Sequence, residues 1–354
     1  MNFGNIMLLK KSGEMIDERG GWCSGIVFVL TAVLIAACTP TEEEEITFVL
    51  LPDTQTYAEK YPEILEAQID WIEREASNIA MVIQQGDLTQ NNNEEEWRLV
   101  RNAFQRLDDK VPYVLAVGNH DMGSEPGKFA DVRNTTLFNT FFPVKHMAKL
   151  PAFGGIFEEG RLDNAYYLLE TGDYKWLVLS LEFGPRESVL TWANNVVADH
   201  PDRLVILNTH SYMYSDSTRQ GPGDYWRPQG YGIGKDTAAH AVNDGEQIWE
   251  KLVGKHANIR FVFSGHVLNS GVGTLVSIND AGYPVYQCLA NFQEGVRGSV
   301  NGGNGWLRIV KIKPQEKTVL ISTYSPYIDA YSEEKAHQFH IRHAYLESGN
   351  KMSN

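Results

Sequence analysis

From Ile46 onward, short apolar runs alternate with stretches whose apolar residues recur at helical spacing. Ile46–Leu51 reads as a buried strand. In 62–78, Leu65, Ile69, Ile72 and Ala76 fall on one helical face. Residues 80–83 are a second strand-like run, and a helix opening at Glu94 aligns Trp97, Val100, Phe104 and Leu107. Further strand-like runs lie at 113–117, 176–181, 204–207 and 259–263, with helical segments near 189–197 and 246–253 separating the last three. This alternation predicts a layered α/β fold. Beyond Gly271 the pattern turns β-like, at 274–278, 285–289, 306–312 and 319–323. These runs are expected to pair as the antiparallel side of a sheet sandwich. No repeat or internal linker interrupts 46–340, which is read as one domain, followed by a tail at 341–354.

The segment before Ile46 follows another rule. Residues 25–37 carry no charge; they are too short for a comfortable membrane span but right for the apolar region of a signal peptide. They end in Leu34-Ile35-Ala36-Ala37-Cys38, which resembles a lipobox, where a cysteine thiol is acylated and the chain is cut before it. Residues 1–37 are therefore expected to be a lipoprotein signal peptide, Cys38 the lipidated residue, and 38–45, with Glu42 to Glu45, an acidic tether. Lys10, Lys11 and Arg19 are offset by Glu14, Asp17 and Glu18, so Met7 and Met15 are alternative starts. An uncleaved anchor helix, or a cut elsewhere with Cys38 incidental, is the competing reading. The expected location is the bacterial cell envelope: the outer membrane, facing the periplasm or the surface, with the lipid as the only membrane contact. Acidic residues just after such a cysteine also resemble surface-export signals.

Composition narrows the function. The net charge of −14 argues against a protein that coats nucleic acid, which needs a basic footprint. It leaves a phosphate substrate open, because a bound metal can dominate the local field. Of the three cysteines only Cys288 lies in the body, so no internal disulfide can form there. With 43% hydrophobic residues the core has enough material without one.

The chemistry-bearing residues cluster at the ends of strand-like runs. They are Asp53-Thr54-Gln55, Gly86-Asp87, Gly118-Asn119-His120-Asp121, His210 and Gly265-His266. Ligands at the carboxyl ends of adjacent strands converge in one crevice. Glycine at 86, 118 and 265 suits the tight turn each strand end needs. Singly, each piece is ordinary turn chemistry. Together and in this order they point to a metal site.

The order Asp-x-Gln, Gly-Asp, Gly-Asn-His-Asp, His, Gly-His resembles the calcineurin-like metallophosphoesterases across nearly the whole body. The resemblance implies a four-layer α-β-β-α sandwich holding two divalent metals. It implies that Asp87 bridges them, that Asn119, His210 and His266 complete one site, and that Asp53 and Gln55 join Asp87 at the other. It implies that His120 acts on the phosphate, stabilising charge or protonating the leaving oxygen. Such cations bind phosphoryl oxygens and lower the pKa of a shared water, and an adjacent imidazole donates a proton near neutral pH. Asp121 is expected to orient His120. Gln293 also resembles a residue near the site in Asp-x-Gln members, and is left outside the site set.

Two departures bear on the metals. Gln55 stands where the family pattern has His, and the last motif lacks its second His, reading Gly265-His266-Val267-Leu268-Asn269. Asn269 or Ser270 is the expected substitute ligand. The metals are drawn from Mn, Mg, Ca, Fe and Zn, with harder ions favoured at the imidazole-poor side and one site weaker. Thr89 and Gln90 follow Gly-Asp-Leu where purple acid phosphatases carry tyrosine, so that coloured di-iron type is not expected. On the substrate side, Tyr212, Tyr225 and Trp226 lie among glycines in a loop after His210 and are read equally as a ligand platform or as loop packing. The leading expectation is an exported phosphomonoesterase or phosphodiesterase acting on a phosphorylated small molecule, lipid or glycan. The alternative is a cell-surface binding module with a degenerate metal site.

Overall fold

The computed structural model describes residues 45–347. The signal segment 1–37, Cys38, the tether before Glu45 and the tail after Glu347 lie outside the described residues. The first half of the body contributes strands β1 (Ile46–Leu51), β2 (Met81–Gln84), β3 (Tyr113–Leu115), β4 (Phe153–Ile156), β5 (Ala165–Thr171), β6 (Tyr174–Leu181) and β7 (Leu204–Thr209). The second half contributes β8 (Ile259–Ser264), β9 (Val272–Ile278), β10 (Pro284–Ala290), β11 (Leu307–Lys313), β12 (Thr318–Ser325), β13 (Ala330–Tyr331) and β14 (Phe339–Arg342). Helices α1 (Gln55–Lys60), α2 (Pro62–Glu75), α3 (Glu94–Phe104), α4 (Thr136–Phe141), α5 (Val144–Met147), α6 (Glu187–Asp199) and α7 (Gly245–Lys251) connect them. None of the described helices is long and apolar enough to cross a membrane.

Two mixed sheets result. One runs β13-β12-β11-β1-β2-β3 with β14 on β12; the other runs β4-β5-β6-β7-β8-β10-β9. Strand alternation explains the layers. On β6, Trp176 and Val178 enter the core shared with the first sheet, where Phe48 meets Trp176 edge-on at 5.2 Å. Leu177, Leu179 and Leu181 point the other way, onto Val189, Ala193 and Val197 of α6 and Ile248 of α7. The crossovers α2 and α3 bury Ile64, Leu65, Ile69 and Ile72, and Trp97, Val100 and Phe104. Helices flank both sheets, as the α/β expectation has it.

The C-terminal strands depart from expectation. They do not form one antiparallel side: β9 and β10 join the second sheet through a parallel β10–β8 pair, whereas β11 and β12 join the first through β11–β1. An apolar run reports burial on both faces, and β10 and β11 are both almost wholly buried, so either can sit inside either sheet. Strands β4 and β5 were not expected. β4 carries two glycines, and β5 mixes Tyr, Glu and Thr with its apolar residues, so neither forms an apolar run.

Parallel β1, β2 and β3 end beside parallel β7 and β8 at the same edge of the molecule. Two inward polar side chains join the sheets there. Asn208 Nδ2 donates to the Gln84 carbonyl at 2.9 Å, and Ser180 Oγ to the Leu115 carbonyl at 3.1 Å. These bonds bring side-chain donors of the second sheet to carbonyls at the ends of β2 and β3, and set one row of strand ends against the other.

Candidate metal centre

Three of the strand-end ligands sit in the left-handed region: Asp53 at φ +35°, Asp87 at +52° and His266 at +72°. Non-glycine residues pay strain there, and such strain gathers at functional sites. The glycines before Asp87, Asn119 and His266 are set by close approach. A Cβ on Gly86 would lie 2.5 Å from His210 Nδ1, one on Gly118 2.0 Å from Asp87 Oδ1, and one on Gly265 2.1 Å from Asp53 Oδ2. Of the three, only Gly86 (φ +95°) has a positive φ. At 118 and 265 glycine is needed for close approach, not for the turn.

Asp87, His210 and His266 each direct one ligand atom into a space where all lie within 4.8 Å of one another. His210 Nδ1 donates to the Gln85 carbonyl at 2.8 Å, which turns Nε2 inward. Around that Nε2 stand Asp87 Oδ2, Asn119 Oδ1 and His266 Nδ1, each at 3.1 Å. His266 Nε2 is fixed by the Trp226 carbonyl at 2.7 Å. Phe183 packs on both imidazoles, 5.8 Å from His210 and 5.0 Å from His266, with Tyr231 beyond it. Sequence patterning missed Phe183, which follows β6 without a motif of its own.

The electrostatics describe a site that wants a positive charge. Burial opposes a charged His210, yet Asp87 and Asp53 raise it to about 9. Its Nε2 proton lies among three acceptors. Burial and the neighbouring His210 push His266 down to about 3, so it is a neutral ligand. Burial alone would raise Asp87, but His210, His120 and His266 together hold it well below the usual carboxylate range. Burial holds Asp53 well above that range, against the pull of His210. A proton on His210 thus occupies, without a cation, the place where an imidazole, a carboxylate and an amide oxygen converge. That donor set fits a divalent ion.

On the other side of Asp87 the chemistry changes. Asp53 accepts from the His266 N–H at 3.0 Å. Gln55 Nε2 donates to Asp87 Oδ2 at 3.1 Å and to Gln293 Oε1, and Gln293 Nε2 reaches Asp53 Oδ1 at 3.3 Å. Gln55 Oε1 is buried without a partner, which leaves an acceptor for an ion. Gln293, just past β10, therefore completes the pair Asp53 and Gln55. Only the family resemblance had pointed to it.

Several expected placements do not hold. Asn269 is exposed and donates to Ser215 Oγ at 3.0 Å, and Ser270 Oγ bonds main-chain carbonyls; both face away from the centre. The left-handed turn at Asn269 (φ +59°) carries them off. Asp121 does not touch the His120 ring. It accepts from the N–H groups of Leu88, Thr89 and Gly118 at 3.1, 2.9 and 2.9 Å, and so clamps the Asp87 turn to the Asn119 turn. Burial and nearby Asp87 raise it to about 6. His120 rests instead on the Gln90 carbonyl through Nδ1, at 2.8 Å, while its backbone N–H donates to Asp87 Oδ1 at 2.9 Å. Tyr212 is a core residue, fully buried and donating to Gln287 Oε1 at 2.9 Å. Tyr225 is 74% exposed, and Trp226 serves through its carbonyl.

The calcineurin-like phosphoesterase family model matches residues 46–270. The chain belongs to that family. Its members are metal-dependent phosphoester hydrolases, and Asp87, His210 and His266 of this chain form a group that could hold a metal ion. The chain is 28% identical over 305 residues to the uncharacterized protein YvnB of Bacillus subtilis (strain 168), covering 84% of this chain and 21% of that one. It thus spans about a fifth of that relative's length. A purple acid phosphatase, PPD1 from yellow lupin (Lupinus luteus) seeds, shares the fold at TM-score 0.51 and 14% identity, over 86% of this chain and 55% of that one. A 5'-nucleotidase precursor from Thermus thermophilus aligns at TM-score 0.42 and 14% identity, over 84% and 55%. The chain spans about half the length of both structures.

Proposed function

We propose that the chain is a hydrolase of phosphomonoesters or phosphodiesters, working with two divalent cations that share Asp87. The observation that carries this reading is Asp87 Oδ2, which faces His210 Nε2 on one side and Gln55 on the other, both at 3.1 Å. Bound cations would supply positive charge to the phosphoryl oxygens and lower the pKa of water. Asp87, Asn119, His210 and His266 would hold one, and Asp87, Asp53, Gln55 and Gln293 the other. His120 commits Nδ1 to the Gln90 carbonyl, which leaves Nε2 as the ring nitrogen that would face a substrate. It would hold a proton there and pass it to the ester oxygen as the P–O bond breaks and water adds to phosphorus. Phe183 and Tyr231 wall the imidazoles off from solvent, which strengthens every charge interaction inside.

The binding-module reading draws on the missing second histidine and the outward turn of Asn269. Hydrolysis of para-nitrophenyl phosphate and its bis-ester separates the two. Activity should vanish on chelation, return with Mn or Mg, and fall on the order of a hundredfold to a thousandfold in His120→Ala and Asp87→Ala, leaving a measurable remainder. A folded protein inactive with Mn, Mg, Ca, Fe and Zn would favour the binding module.

We further propose that the chain is exported and held at the bacterial envelope by a lipid on Cys38, which the uncharged 25–37 run and the residues before Cys38 support. Metabolic labelling with a tagged fatty acid should mark the protein and not Cys38→Ala. Equal labelling of both would remove the anchor from the reading.

A further inference from the structure

Phe129 is 37% exposed on a surface loop, yet its ring lies on the face of the His120 imidazole, centroids 3.9 Å apart and planes at 30°. Large apolar side chains on loop tips normally find cover in a core. This one lies against the His120 ring.

The loop that carries it is built to keep it there. Its base is closed by the Ala130 N–H on the Met122 carbonyl at 3.0 Å and by Asp131 accepting from the Ser124 N–H at 2.8 Å. Its tip is tied across, with the Gly127 N–H donating to the Asn91 carbonyl at 3.0 Å. Asn91 is in turn gripped by Glu96 of α3, through its N–H at 2.7 Å and its side-chain amide at 2.8 Å. Gln90, the neighbour of Asn91, supplies the carbonyl on which His120 Nδ1 rests. One connected unit therefore touches the ring at its edge through Gln90 and on its face through Phe129. Among the described residues no carboxylate hydrogen-bonds the ring, since Asp121 is spent on backbone N–H groups.

We propose that Phe129 is a positioning residue that holds the His120 ring in its working orientation. This rests on the phosphoesterase reading. A hydrogen bond at Nδ1 alone leaves the ring free to rock about that bond, and the stacked phenyl removes that motion. A misaligned proton donor loses rate even when every ligand is in place.

The test has two independent parts, run on the full chain. In the metal-free protein, the ring protons of His120, assigned by their loss in His120→Ala, should carry an aromatic ring-current shift. Phe129→Ala and Phe129→Leu should abolish that shift, and Phe129→Tyr should retain it. In the metal-loaded enzyme, Phe129→Ala should lower kcat on the order of tenfold with little change in KM. The loss should be larger for alkyl phosphates than for para-nitrophenyl phosphate, whose leaving group needs less help. In the His120→Ala background, Phe129→Ala should have no further effect. Unchanged His120 resonances in Phe129→Ala would overturn the proposal whatever the activity, as would equal losses in both backgrounds. A wild-type chain that shows the ring-current shift but hydrolyses no ester would sink the phosphoesterase reading instead.

Discussion

On one side of Asp87, His210 and His266 present ring nitrogens already aimed by the Gln85 and Trp226 carbonyls. On the other, Asp53 is joined by two carboxamides, Gln55 and Gln293, that hydrogen-bond each other. Both sides stand on strand ends and both share Asp87, so the scaffold is common and the ligand chemistry differs. The imidazole side needs only to lose a proton before it can hold an ion. The carboxamide side offers the buried Gln55 Oε1, but the Gln293 oxygen is engaged by Gln55 and reaches an ion only if that bond is given up. A preformed donor set binds more tightly than one that must be rearranged. Neutral amide oxygens also suit harder ions than imidazole does.

The shared carboxylate is where the comparison breaks most completely. Asp87→Ala should empty both sides and lower turnover on the order of a thousandfold, as loss of a main electrostatic element does. Gly118→Ala should come close to it without replacing a ligand, because the new Cβ falls 2.0 Å from Asp87 Oδ1. Metal content and turnover measured together check both variants. An Asp87→Ala protein that keeps an ion would separate the two sides.

A titration of the metal-free protein with Mn should next resolve one tight ion and one bound at least about tenfold more weakly. Two ions of equal affinity would erase the difference between the sides. Gln293→Leu and Gly265→Ala sharpen it, since the first removes a carboxamide and the second drives a Cβ to 2.1 Å from Asp53 Oδ2. Each should weaken the loose ion about tenfold to a hundredfold and leave the tight one in place. Weakening of both ions by Gln293→Leu would mean that the carboxamide side supports the imidazole side.

The two sides were unequally legible in the sequence. Residues that end a strand next to a glycine (Asp87, Asn119, His266) announce themselves, because a ligand type and a turn signal coincide. His210 does so through the apolar run before it. Gln293 follows Phe292 in a segment with no turn signal that fixes its direction, and its role depends on a contact with Gln55 across 238 positions of sequence. Asn269 looked like a substitute by its closeness to His266 in sequence, but one left-handed residue sends it outward. Asp121 beside His120 invited pairing, whereas the tight turn points the two side chains apart, one to backbone N–H groups and the other to Gln90. The fold reads the same way. Apolar runs located β1, β6 and β8 well, while the sheet joined by β10 or β11 depends on neighbours the run does not record.

The smallest effect expected is a proton count, and it bears on the imidazole side alone. Without a cation His210 is raised to about 9, so at pH 7 its Nε2 carries a proton. An ion can take that nitrogen only if the proton leaves. Binding of the tight ion should therefore release about one proton at pH 7, and its affinity should rise about tenfold per pH unit until pH approaches 9 and then level off. The carboxamides have no proton to give, which leaves Asp53 as the titrating group peculiar to the other side. Calorimetry in two buffers of different ionisation enthalpy measures the release directly. Finding none for the tight ion would mean that His210 is already neutral, and that the imidazole side is preformed in protonation as well as in geometry.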